Sequence, residues 1–159
     1  MATATHPEQL RNEYLQRVSN LFDKVRQWVS EFDPNATFQE EETTIREVPI
    51  EPYEVHCLVI DRPGYKQVRL IPRGCQIIGA EGRVDMKSDL GTETLVYVWE
   101  GGPHIVSKIL SQNGEVLHET SRAFVEDVTE GWVHLENRQS GPLPALDANL
   151  FRHLMEVLS

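Results

Sequence analysis

The side chains able to do chemistry near neutral pH are six histidines, two cysteines and a scatter of carboxylates. His6, His56, His104, His118, His134 and His153 include no H-x-H or H-E-x-x-H pair, the spacings that bring two imidazoles to one metal ion. A structural zinc site needs four ligands, and Cys57 and Cys75, eighteen residues apart, have no histidine pair beside them to complete one. Cys75 follows Arg73 and Gly74. A nearby cation lowers a thiol pKa, so Cys75 is the candidate nucleophile, although no positioned base accompanies it. Cys57 sits in the apolar run Tyr53 to Ile60 and reads as core. Glu40, Glu41 and Glu42 are consecutive. Neighbours on a strand point to opposite faces, so this run cannot present a general acid–base pair to one cleft and reads as solvated surface, as do Glu126 and Asp127. The glycines fit neither G-x-x-x-x-G-K-[ST] nor G-x-G-x-x-G. No catalytic residue, cofactor or metal is therefore assigned.

Two further groups are candidates for binding. Arg62, Lys66, Arg69 and Arg73 stand against Asp61 alone, a local net charge of +3. Arg69 and Arg73 can share one strand face and contact an anion. The alternative, and the favoured expectation, is charge pairing with the segment 33–54, where seven acids face only Arg46 for a net of −6. His118 and His134 fall on neighbouring predicted strands and are candidates for a shared pocket.

The elements that must position these residues are legible in the periodicity. Leu10, Tyr14, Val18, Leu21, Val25, Trp28 and Phe32 recur at intervals of 4, 4, 3, 4, 3 and 4, matching the helical turn. The pattern predicts a helix over 7–31, opened by Pro7 and Glu8 and stopped by Asp33-Pro34. Leu15, Phe22 and Val29 widen its apolar stripe, which either a sheet face or a second chain would cover. Val18, Val25, Trp28 and Phe32 are the candidate interface.

Strands follow in quick succession. Expected runs are 43–48, 53–60, 66–71, 76–78, 83–87, 94–99, 104–110, 115–120 and 131–136, with 123–128 ambiguous. Pro49 and Pro52 argue for an edge or loop position. Asn113-Gly114 signals a tight hairpin, and 94–99, apolar on both faces, a central strand. Asp147 can cap a final helix over 148–158. Short links favour antiparallel pairing, and helices at the ends of the chain indicate α+β. The expectation is a tail over 1–6, disordered, and a single α+β domain over 7–159. In it the long N-terminal and short C-terminal helices pack on one face of a mostly antiparallel sheet of about 5–8 strands.

At 159 residues with 40% apolar and 25% charged content, one globular domain is expected. The net charge of −10 disfavours polyanions, so no nucleic acid is expected as a partner. No apolar run reaches membrane-spanning length, and no secretory leader is evident, so a cytoplasmic setting without membrane contact is expected.

No motif identifies a family. In its acidity and its helices at both ends, the chain resembles bacterial type III secretion chaperones, although it has no clear helix midway. The resemblance implies a dimer that holds a segment of a client protein. The expected function is accordingly a non-catalytic protein-interaction, chaperone-like or regulatory module, with a protein partner or self-association. The alternative is a small ligand-binding domain or enzyme with a pocket between sheet and helices.

Overall fold

The first helix, α1, runs from Pro7 to Phe32 and carries Glu8 in its first turn, where an acid suits the helix dipole. It ends where Asp33 N donates to Val29 O at 2.8 Å and Pro34 forbids another turn. Tyr14, Val18, Leu21, Phe22, Val25 and Val29 are buried along one side. A computed structural model describes residues 7–75, 80–98, 130–135 and 144–159, and the strand backbone of 104–110 and 116–123.

Five strands then follow as a meander: β1 (Thr37–Glu47), β2 (Ile50–Asp61), β3 (Val68–Gly74), β4 (Gly82–Ser88) and β5 (Gly91–Val98). Each pairs antiparallel with the next, as hairpin connections require. The chain departs into β6 (His104–Leu110) and β7 (Val116–Ala123), which pair with each other in a separate sheet, and returns as β8 (Gly131–Leu135) beside β5. The main sheet has six strands in the order β1-β2-β3-β4-β5-β8. Residues 144–146 add a short bridge at the β8 edge, Val133 opposite Ala145. Asp147 then caps α2 (Ala148–Leu158), its carboxylate accepting from Leu150 N at 2.8 Å.

Both helices lie on one face of the sheet. One core joins Tyr14, Leu21 and Val25 of α1 and Phe151, Leu154 and Met155 of α2 to Leu58, Leu70, Met86 and Leu95 of the strands. A smaller buried group of Ala80, Val96, Val98 and Val133 lies apart from it. This is the α+β arrangement expected from the sequence. Three details differ from expectation. β1 begins at Thr37 rather than Thr43, because residues 39–42 of this edge strand are exposed on both faces and need no apolar alternation. β6 and β7 leave the main sheet instead of extending it. Pro52 lies within β2 rather than in a loop, opposite a register shift between Ile45 and Glu47. There two residues of β2 face one of β1, so proline leaves no ladder bond unmade. The expected strand at 76–78, the tail at 1–6, the Asn113-Gly114 turn and the run 124–128 lie outside the described residues.

Candidate functional site

An open cleft of about 360 Å³ lies between α1 and the end of the sheet formed by β5 and β8. Leu21 lines it with three aromatic side chains, Trp28, Tyr97 and Trp132. Each of the three is part-exposed. Tyr97 and Trp132 are direct partners across the β5–β8 ladder, and their rings meet edge to face at 5.5 Å. Trp28 leans on Phe151 of α2, with ring centroids 5.8 Å apart. The Arg17 guanidinium stacks 4.2 Å over the Tyr97 ring and is held there by Glu81 at 3.0 Å. Asn20 and Lys24, one turn apart on α1, form an exposed rim. Leu146 N donates to Trp132 O at 2.9 Å, fixing the opposite wall. Gly82 makes the close fit possible: a Cβ there would stand 2.7 Å from the Tyr14 ring.

A second polar group closes the far side of the core. Glu47 lies two residues after the buried Ile45 on β1 and so shares its inward face, where it accepts from the Tyr53 hydroxyl and from Cys75 N at 3.1 Å. Cys75 Sγ lies 3.6 Å from the same carboxylate. The Tyr14 hydroxyl donates to Arg83 O at 2.7 Å and accepts from Gly74 N at 3.2 Å. Burial first, and then the Glu47 carboxylate, push the Cys75 thiol up to about 12. Burial also raises the Tyr14 and Tyr53 phenols. Cys75 is therefore a protonated thiol near neutral pH, the opposite of the activated nucleophile that Arg73 suggested. Arg73 points to the other sheet face, onto Asp85.

The remaining candidates are dispersed. Arg69 pairs with Glu41 and Arg62 with Asp33 at 2.9 Å, so two cations of the basic segment meet the acidic segment as charge complementarity suggests. Arg62 is sandwiched between Phe32 and Tyr65, 5.1 and 4.0 Å from their ring centroids. His134 is buried, with Nε2 2.7 Å from Glu93. His118 belongs to β7, which does not pair with β8, so the backbone places the two histidines in different sheets. His56 sits exposed between Glu40 and Glu42, and His153 is exposed on α2. Among the described residues no group of histidine, cysteine and carboxylate side chains could hold a metal ion.

Of the four helix positions expected at an interface, Val18 is 4% exposed and Val25 0%, because the sheet occupies the place a second chain would take. Trp28 and Phe32 are part-exposed. Sequence reasoning missed Asp85 and the Tyr97–Trp132 pair. Asp85 lies between Val84 and Met86 and reads as an ordinary outward residue. The Tyr97–Trp132 pairing depends on β8 returning to β5, which no local signal announces.

The fold and site define an α+β protein with an aromatic cleft under its first helix. No known protein family matches the chain, and neither a curated protein nor a solved structure shows significant similarity to it. No helix among the described residues is long and apolar enough to cross a membrane.

Proposed function

We propose that the chain is a non-catalytic binding module that receives an aromatic side chain of a partner protein in the cleft beneath α1. The observation that carries this reading is the set of part-exposed rings, Trp28, Tyr97 and Trp132, around an opening of about 360 Å³. Tryptophan and tyrosine dominate the energetics of protein contacts, because they bury large area at little entropic cost. Opening size and chemistry both suit one aromatic ring and its neighbours. The protonated Cys75 thiol and the inward Glu47 support a binding role over a nucleophilic one. Two free, buried thiols support a cytoplasmic setting.

The test uses displayed random peptides selected against the purified chain, then titrated by tryptophan fluorescence. Enriched peptides are expected to share an aromatic residue and to change the emission on binding. Asn20→Tyr, at an exposed rim position, should weaken binding about tenfold or more by filling the opening, a loss of about 1.4 kcal/mol. Unchanged thermal unfolding would establish that this variant is folded. Selection without an aromatic consensus, or binding indifferent to Asn20→Tyr, would overturn the proposal.

A further inference from the structure

The sheet face turned away from the helices carries a charge arrangement that the cleft does not use. Asp85 on β4 is only 4% exposed. Its Oδ1 accepts from Arg83 Nε at 2.9 Å and from the Thr94 hydroxyl at 3.2 Å. Its Oδ2 accepts from Arg73 Nε at 2.9 Å and Arg83 Nη2 at 3.3 Å. An ionised carboxylate has about four acceptor sites, so this one is saturated. Burial would raise the Asp85 carboxyl, but the bonds from Arg83 and Arg73 outweigh it and hold the group below the usual carboxylate range.

One carboxylate thus gathers two guanidiniums, leaving a local excess of one positive charge. The backbone is shaped to do this. Pro72 opposes Val84 and Gly74 opposes Arg83, so Arg73 is the extra residue of a bulge in β3. In a regular ladder Arg73 would stand directly opposite Arg83, a destabilising like-charge pair. The bulge re-aims Arg73 so that both side chains converge on Asp85 instead. Their side chains remain 46% and 41% exposed. Arg73 engages Asp85 through Nε alone, which leaves its two terminal amino groups for solvent. Arg69 and Lys87, directly opposite each other on β3 and β4, share this face; Arg69 is paired with Glu41, and Lys87 adds to the positive field. All of this stands on a chain of net charge −10.

We propose that the Arg73–Arg83 pair, held by Asp85, is a binding site for a phosphoryl oxyanion. The buried aspartate orients two planar donors before the ligand arrives, which lowers the entropic cost of forming charge-assisted bonds. The ligand's own charge cancels the excess that the clamp creates. The source is either free phosphate or a phosphomonoester group on a larger molecule. The site lies on the face opposite the cleft and does not depend on the function proposed for it.

The test is isothermal titration calorimetry of the full chain with inorganic phosphate and with phenyl phosphate, each against chloride at equal ionic strength. Saturable binding of at least one anion is expected. Tighter binding of phenyl phosphate would identify the esterified group as the source; tighter binding of inorganic phosphate would identify the free ion. Arg73→Gln should weaken binding about tenfold or more, since it removes one charged planar donor from the clamp. Arg152→Gln, on α2, should leave it unchanged. If Arg73→Gln fails to fold, Arg73→Lys keeps the charge beside Asp85 but removes the planar fork, and the same weakening is expected. No saturable heat with either anion, or equal binding by the folded Arg73 variant and the parent chain, would overturn the site.

Discussion

At the scale of single residues, the environment of Cys75 reverses what its neighbours in sequence suggest. Arg73 is two positions away, yet the thiol is governed first by burial and then by Glu47, twenty-eight positions upstream. A thiol held near 12 favours the fold while it stays protonated. Its contribution is complete below the unfolded value of about 8.5 and is lost as pH rises toward the folded value. Reaction of the native chain with a thiol reagent at neutral pH is therefore expected to be slow, and to accelerate sharply on denaturation. Stability to urea should fall as pH is raised above about 9, and less steeply in Cys75→Ala, which lacks the titrating group. A native Cys75 as reactive as the denatured one would contradict the burial and charge that surround it. None of this was legible locally, because Glu47 at the end of β1 meets Cys75 just after β3 only once the sheet has formed.

At the scale of elements, the helices were the most legible part of the chain. α1 and α2 follow a 3.6-residue apolar period and end at recognisable signals, Asp33-Pro34 for one and Asp147 for the other. Their bounds match expectation to within a residue. β1 was half visible. Its second half contains Ile45, which packs in the core, whereas 39–42 is polar on both faces and reads from sequence as loop. The sequence also left open what covers the stripe of α1, and the sheet supplies the answer. Val25→Asp would place a charge at a position with 0% exposure, on a helix whose cover is its own chain. The expected outcome is loss of cooperative thermal unfolding, followed by circular dichroism, because an unpaired buried charge costs several kcal/mol. A folded variant with a normal transition would mean that this face of α1 does not pack on the sheet. Asn20→Tyr, five residues earlier on the exposed rim, serves as the control.

At the scale of the whole molecule, a single hydroxyl ties the helix layer to the sheet. Tyr14 reaches Arg83 O and Gly74 N, sixty-nine and sixty positions away. Tyr14→Phe keeps the ring and its packing but leaves a buried carbonyl and a buried N–H without that partner. Global stability should fall by about 1–3 kcal/mol, read as a lower urea midpoint with an unchanged slope. A midpoint equal to the parent's would show that water replaces the hydroxyl at both groups. The sheet order could be anticipated only where links are short. β1 to β5 follow the chain, but the return of β8 spans the β6–β7 excursion, and nothing in residues 131–135 names β5 as its neighbour.

The Tyr14 link also sets a timetable for synthesis. The ribosome completes α1 well before it has made Gly74 or Arg83, and chains emerge at about 5–20 residues per second. For those seconds the stripe from Tyr14 to Val29 has no sheet to lie on. The first helix leaves the exit tunnel with that stripe uncovered, and its shelter is built up as the strands from β2 onward are made.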